Sequence, residues 1–310
     1  PLNPSPMTTH PTPYDAVVVG GGPAGLSAAL ALGRARRRVL LAAEGPTRNA
    51  PSQAAHNVLT RDGTPPGELV RIGRAQLAPY DVTIREERTT DAERTDSGFA
   101  VTFAGGGRAE ARGLVLATGV RDVLPDVPGL AELWGTGVFH CPYCHGWEVA
   151  GRPLAIYARG ETALHLARLI RGWTDDLVLF TDGPSGLPPA DRARVERNGI
   201  AVREERVERL VGSGDDLEAV VLEGGEVVAR GGLFVTPGQE LRSDLPRRLG
   251  CPLTEDGRVE AGIGGRTPVP GVFVAGDAGP GMQFVVSAMA SGTLAGAMLN
   301  MDLLAEEFDR

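Results

Sequence analysis

Cysteine is scarce in this chain: there are three, and two of them, Cys141 and Cys144, stand in a C-x-x-C spacing. Three cysteines exclude a disulfide-stapled secreted framework, and C-x-x-C in an intracellular chain favours redox chemistry or a metal. An excess of basic charge is missing too. The formal net charge is -8, which argues against a protein that holds nucleic acid through phosphate contacts. Residues 1–13 lack an apolar core and a cleavage pattern and read as a disordered arm rather than a signal peptide. A long charge-free stretch, Ala278 to Met301, contains Gly292 and Gly296 in G-x-x-x-G spacing. It is dominated by small residues with Ser, Thr and Gln among them, so it is expected to be a helix buried inside the protein near a ligand, not a membrane span. No membrane partner is expected, and a cytoplasmic location is.

What is abundant is glycine, 43 of 310 residues, with 24 prolines; these predict many tight turns and close backbone approaches. The length suits two domains and a cleft. Tyr14 to Gly20, Ala24 to Leu32 and Arg38 to Ala43 read as strand, helix and strand, one βαβ unit. Leu154 onward, Glu161 to Arg171 and Leu177 to Phe180 repeat that pattern. Strand-and-turn stretches lie at Gly98 to Phe103, Gly113 to Leu116, Glu218 to Val228 and Leu233 to Thr236. The expected fold class is α/β, with two Rossmann-like dinucleotide-binding domains, the second inserted into the first. The expected boundaries are 14–121 with 239–310 for the first domain and 122–238 for the second, which carries the C-x-x-C.

Gly20, Gly22 and Gly25 form G-x-G-x-x-G between a strand and a helix, with Pro23 and Ala24 inside the motif. The first glycine permits a tight turn, the second lets the backbone approach a pyrophosphate, and the third allows close helix packing. Glu44, after the next strand, is placed to accept from a ribose hydroxyl. Two further segments resemble fingerprints of the two-dinucleotide-domain flavoproteins: Ala117-Thr118-Gly119, and the run containing Gly276, Asp277 and Gln283. The resemblance implies FAD at the first site, with Asp277 toward the ribityl chain or pyrophosphate and Gln283 toward the isoalloxazine ring. By itself Asp277 reads equally as a helix or turn cap.

The sequence FHCPYCHGWE, following the Ala-Thr-Gly segment and preceding a second nucleotide fold, resembles the low-molecular-weight thioredoxin reductases. That resemblance implies a redox pair in which Cys141 exchanges with substrate and Cys144 faces the flavin, and it implies a homodimer. His145, where bacterial thioredoxin reductases carry Asp, resembles instead the C-x-x-C-H dithiol oxidases of gliotoxin- and holomycin-type natural products. An imidazole there can stabilise a thiolate or carry its proton. Zinc is a competing use of the cysteines, but ligands crowded into six residues wrap a tetrahedral ion poorly. His140 reads as packing, Tyr143 and Trp147 as cover over the flavin, and Cys251 as a structural thiol.

The second nucleotide motif is altered. Ala158 replaces the first glycine of the pattern Ala158-Arg159-Gly160, and Asp182 stands where users of NADPH carry a basic cluster. A carboxylate repels a 2′-phosphate, so NADPH is disfavoured, while NADH or no pyridine nucleotide stays open. The expected activity is FAD-dependent exchange of electrons between flavin, the Cys141–Cys144 pair and an external disulfide or dithiol, either a thioredoxin-like protein or a small molecule. A protein donor such as ferredoxin is one source of electrons. The alternatives are a non-catalytic or sensory flavoprotein whose second domain binds protein, and a simple NADH oxidase indifferent to the cysteines.

Overall fold

The computed structural model describes residues 13–310; apart from Pro13, the expected arm lies outside the described residues. The chain divides into two compact units. The first comprises residues up to Pro46, Val70–Val120 and Leu241–Arg310, and the second Thr47–Leu69 and Arg121–Glu240.

In chain order the elements of the first stretch are β1 (Tyr14–Val19), α1 (Pro23–Arg34), β2 (Val39–Ala42), α2 (Pro66–Leu77), β3 (Val82–Arg85), β4 (Thr89–Thr95), β5 (Gly98–Phe103) and β6 (Arg108–Leu116). The middle of the chain supplies β7 (Val120–Val123), β8 (Val138–Phe139), α3 (Pro142–His145), β9 (Leu154–Tyr157), α4 (Gly160–Ile170), β10 (Leu177–Phe180), α5 (Pro189–Arg197), β11 (Ala201–Arg203), β12 (Val207–Ser213), β13 (Asp216–Leu222), β14 (Val227–Ala229), β15 (Leu233–Val235) and β16 (Gly238–Leu241). After these come α6 (Leu245–Arg248), β17 (Val272–Val274) and α7 (Val285–Phe308).

Each unit follows one plan, a parallel sheet with an antiparallel three-stranded meander. In the first, β3-β2-β1-β6 run parallel, β17 pairs with the end of β6, and β4-β5-β6 form the meander. In the second, β11-β10-β9-β15-β8 run parallel and β12-β13-β14 form a separate meander. The central strands β1, β9 and β10 are short apolar runs buried almost throughout, as parallel strands covered on both faces must be. The expected βαβ pairs at 14–43 and 154–180 are present. The stretch 218–228 is two strands, because Gly224 and Gly225, both at positive φ, turn the chain between β13 and β14.

Residues 47–69, expected within the first domain, group instead with the second unit. The stretch is rich in Pro, Gly, Asn and Thr and has no apolar run with which to join a parallel sheet. Its contacts explain where it goes: Arg48 pairs with Asp122 at 2.6 Å, a Cβ on Gly135 would lie 2.9 Å from Pro51, and Asn57 bonds the Tyr143 carbonyl at 2.6 Å. The other crossings fall at Val120–Arg121 and Glu240–Leu241, where β7 and β16 pair with each other.

The G-x-x-x-G segment has a packing role. A Cβ on Gly292 would lie 2.0 Å from the Ala24 carbonyl oxygen, and one on Gly296 2.8 Å from that of Ala28. The two glycines therefore let α7 seat its backbone directly on α1. The end of α7 is held by charge, Arg37 bonding Asn300 at 2.7 Å and Glu307 at 2.6 Å, with Arg112 bonding Glu306 and Glu307. The helix is not buried all round, as expected from sequence, but two-faced. Gly292, Ala295, Gly296, Leu299 and Leu303 are buried, while Val286, Leu294, Met301 and Leu304 are exposed. No helix of the described residues is long and apolar enough to cross a membrane.

A Gly292→Ala variant must push α7 off α1. It is expected to lose about 2 kcal/mol of stability despite alanine's better helix propensity, measured by urea unfolding, whereas Thr293→Ala on the exposed face should unfold within about 0.5 kcal/mol of the parent.

Candidate functional site

In the first unit the carboxyl ends of β2, β1, β6 and β17 lie side by side, Ala42 against Val19, Val19 against Leu116 and Leu116 against Val274. Every residue expected to hold the flavin follows one of these ends. Gly20 turns at φ 118°, and a Cβ there would sit 2.1 Å from the Ala117 carbonyl oxygen; one on Gly25 would sit 1.7 Å from that of Gly20. Gly22 is the extended cap of α1, Pro23 is its first residue, and no side chain caps the helix. The first-turn N–H groups are thus available to an anion. Gly276, at φ 70°, approaches Ala24 so closely that a Cβ would lie 2.9 Å from its methyl group, and its N–H donates to Ser291 Oγ at 2.9 Å.

Two polar groups are left for a ligand. Thr118 Oγ1 is buried without a hydrogen-bond partner, and the exposed Glu44 carboxylate, two residues beyond β2, carries no hydrogen bond or ion pair. A dinucleotide answers these vacant groups with its phosphates and ribose hydroxyls. Asp277 and Gln283 are half-buried, Asp277 in a single helical turn after β17 whose carbonyl accepts from Arg258 at 2.9 Å, and Gln283 two residues before α7.

The second unit repeats this geometry with different chemistry. A cavity of about 450 Å³ opens at the end of β9, lined by Tyr157, Ala158, Arg159, Thr162, Asp182 and Thr236. Asp182, the counterpart of Glu44, is already engaged: it accepts from the Val207 N–H at 2.8 Å and from Arg159 at 3.4 Å. It also accepts from the Tyr157 hydroxyl, and burial, aided by this carboxylate, pushes that phenol up to about 12. The Gly160 N–H, first in α4, donates to the Ser185 carbonyl at 2.8 Å. Arg159 bonds the Thr181 carbonyl and so turns back on its own chain.

Cys141 and Cys144 are joined as a disulfide, Cα atoms 5.2 Å apart, across the start of the one-turn helix α3. Pro142 opens that turn, the N–H groups of Cys144 and His145 both donate to the Cys141 carbonyl, and Gly146 closes against Trp173 where a Cβ would meet the indole at 2.7 Å. His145 stacks on Phe139 with ring centroids 4.8 Å apart. Both its ring nitrogens are buried with no well-formed hydrogen bond, and burial pulls its pKa below the usual value, with Glu148 opposing that shift. Tyr143 and Trp147 are 55% and 83% exposed, Tyr143 meeting Trp173 edge-on. Cys251 is buried in the first unit's core and its thiol is pushed up by burial, the condition of an inert thiol.

Sequence reasoning missed the loop that brackets this turn. Ala55 bridges Thr64, and the enclosed loop brings Asn57 to the Tyr143 carbonyl and His56 to 3.3 Å from Glu148. Nothing in the local pattern pairs residues 57 and 143.

A parallel sheet repeated in two units, a glycine cradle with an unpartnered carboxylate, and a vicinal redox disulfide define a nucleotide-dependent disulfide oxidoreductase. Residues 14–292 match the family described as pyridine nucleotide-disulphide oxidoreductase, and the chain belongs to it. Among its relatives is the thioredoxin reductase sirT of Leptosphaeria maculans, 34% identical over 96% of this chain and 97% of that protein. The crystal structure of HlmI matches with a TM-score of 0.91 at 40% identity, covering 97% and 96% of the two chains. A putative thioredoxin reductase TrxB from Bacillus anthracis matches at 0.90 and 32%, covering 95% and 99%. The protein is accordingly a thioredoxin reductase-like flavoprotein disulfide oxidoreductase, and FAD is the cofactor this family implies.

Because burial lowers the His145 pKa from 6.5, the unfolded chain binds more protons than the folded one at pH values just below 6.5. Folding stability from this group is therefore lost as pH falls through that window. The stability of the parent minus that of His145→Gln, from urea melts between pH 7.5 and 5, is expected to decline on acidification; a difference independent of pH would mean that the ring is solvated.

Proposed function

We propose that this protein oxidises an external dithiol through the Cys141–Cys144 disulfide, with FAD as electron acceptor and without NADPH. The observation that carries this reading is the contrast between Glu44 and Asp182. The first carboxylate is free to take a ribose; the second already accepts from Val207, Arg159 and Tyr157. A 2′-phosphate would face that carboxylate, and a pyrophosphate would have to displace Ser185 from the Gly160 N–H. A ribose hydroxyl of NADH would have to share Asp182 with the three donors it already has.

In this reading Gly20, Gly22, Pro23, Ala24 and Gly25 form the pyrophosphate turn, and Glu44 accepts from the adenosine ribose. Ala117, Thr118 and Gly119 border the cofactor, with Thr118 Oγ1 as a donor to it, while Gly276, Asp277 and Gln283 approach its ribityl and ring portions. FAD, when bound, supplies a two-electron acceptor whose reduced form oxygen can reoxidise. A substrate thiol gives its proton to His145 and attacks Cys141, the Cys141–Cys144 bond breaks with Cys144 leaving as a thiolate, and the second substrate thiol then displaces Cys141 from the mixed disulfide. The unpartnered apolar face of α7, with Val286, Leu294, Met301 and Leu304, supports self-association as a homodimer. A cytoplasmic setting rests on the sparse cysteines. The alternative of a purely structural flavin gains nothing from a formed C-x-x-C disulfide.

The test is an anaerobic titration of the yellow protein. A dithiol such as dithiothreitol is expected to bleach the flavin, and NADH and NADPH are expected to leave it oxidised over the same interval. Cys144→Ser should lower the dithiol-driven rate by about a hundredfold or more. Rapid bleaching by either nucleotide would overturn the nucleotide-free reading. Bleaching by reduced ferredoxin, with the dithiol inert, would reverse the direction.

A further inference from the structure

The helical turn α3 between Cys141 and Gly146 is four residues long, too short to hold itself together. The N–H groups of Cys144 and His145 donate to the Cys141 carbonyl at 3.1 and 3.2 Å, and these bonds close the turn. The peptide unit joining Tyr143 to Cys144 is therefore engaged at both ends. Its N–H reaches Cys141, and its carbonyl accepts from Asn57 Nδ2 at 2.6 Å. Hydrogen bonds that share one peptide unit polarise each other and strengthen together. Asn57 belongs to a loop distant in sequence, and that loop is closed on itself. The Ala55 N–H donates to the Thr64 carbonyl at 2.9 Å, the Gly63 N–H to that of Ala55 at 3.0 Å and the Arg61 N–H to that of Val58 at 2.7 Å. The Asn57 N–H donates to Asp62 Oδ1 at 2.7 Å, and Ala55 and Val58 are buried. Asn57 itself holds φ 59°, a left-handed conformation that glycine adopts freely and asparagine tolerates. Glycine there would suit the backbone but would have no amide to offer the cysteine turn.

We propose that Asn57 is a positioning residue for the Cys141–Cys144 pair, its amide clamping the α3 turn so that the two thiols stay in ring-closing geometry when the disulfide is open. The disulfide and the Asn57 bond order the same few residues. While the Sγ–Sγ bond is intact the turn is already ordered, and the Asn57 bond forms with little further loss of conformational freedom. Once it is open, the Asn57 bond has to restrain the turn by itself, at the cost of that freedom. Each constraint therefore favours the other, and the clamp biases the pair toward the disulfide. Exchange with an external dithiol reads this bias. A thiolate attacks Cys141 Sγ, the Sγ–Sγ bond breaks, Cys144 leaves as a thiolate that takes a proton, and the second thiol displaces Cys141. The external dithiol loses two electrons and two protons and closes its own S–S bond; the pair gains both electrons and both protons. The proposal rests on Cys141 and Cys144 being the redox pair, as read above, and holds for either direction of electron flow.

The experiment equilibrates the holoprotein anaerobically in mixtures of reduced and oxidised dithiothreitol, then denatures it and mass-tags its thiols, with Cys251 counted as a constant. Two variants separate the amide from the backbone. Asn57→Asp keeps the shape and the tolerance of a left-handed backbone but puts an acceptor where the donor was; Asn57→Gly keeps the backbone conformation and removes the side chain. In both, half of the pair is expected to be reduced at a ratio of reduced to oxidised dithiothreitol about threefold or more below the parent's, the effect of one lost hydrogen bond. Amide hydrogen exchange across residues 142–146 of the reduced proteins is expected to be about threefold or more faster in the variants. A residue that served only the left-handed turn of its own loop could be replaced by glycine with no change in either quantity. Midpoints that coincide with the parent's or move toward the disulfide, or exchange no faster than the parent's, overturn the proposal while leaving the redox pair intact. A parent whose Cys141–Cys144 bond dithiothreitol reduces at no ratio overturns the reading beneath it.

Discussion

The flavin unit depends on backbone brought into contact where side chains would forbid it. The Gly20 turn lies against the Ala117 carbonyl, Gly25 against the Gly20 carbonyl, and Gly292 against the Ala24 carbonyl, each so near that a Cβ would fall within about two ångströms of an oxygen. These three contacts fix α1 relative to β1, β6 and α7. The uncapped end of α1, the Thr118 hydroxyl and the Gly276 turn are aligned as a consequence. Van der Waals packing of backbone on backbone leaves little room for adjustment, so the cradle is preorganised for its ligand.

The two units show how one architecture is kept while its chemistry is changed. Both place a carboxylate just beyond the second parallel strand. In the first that carboxylate is exposed and unpaired; in the second the chain's own Tyr157, Arg159 and Val207 consume it. A half-buried acceptor that already has three donors offers a ligand less than a free one, because a new hydrogen bond must compete with those that exist. The positive φ of Asp182 at 50° belongs to the tight turn that makes this self-pairing geometrically possible.

Beside the disulfide, burial sets the state of the imidazole that follows the pair, His145. Phe139 stacks on one face of His145, and burial favours the uncharged ring while isolating it from water. The loop at residues 55–64 sets His56 beside Glu148, and its Asn57 holds the carbonyl between the cysteines. Binding and redox chemistry are thus supported by residues far apart in the chain.

The sequence alone determined the features written in local pattern. The glycine spacing between an apolar strand and an Ala-rich helix, the second βαβ period, the C-x-x-C with its adjacent His145, and the replacement of a basic cluster by Asp182 are all contiguous signals governed by backbone geometry and charge. Tertiary structure decided what depends on long-range closure. Residues 47–69 have no periodicity to reveal that they fold beside the cysteines, and α7 reads as buried because its apolar residues run all round it, although only the glycine face meets α1. Whether Glu44 is free and Asp182 spent is invisible in either motif. A carboxylate's availability is set by which donors the rest of the chain brings within about 3 Å, and those donors come from strands and turns up to 25 residues away.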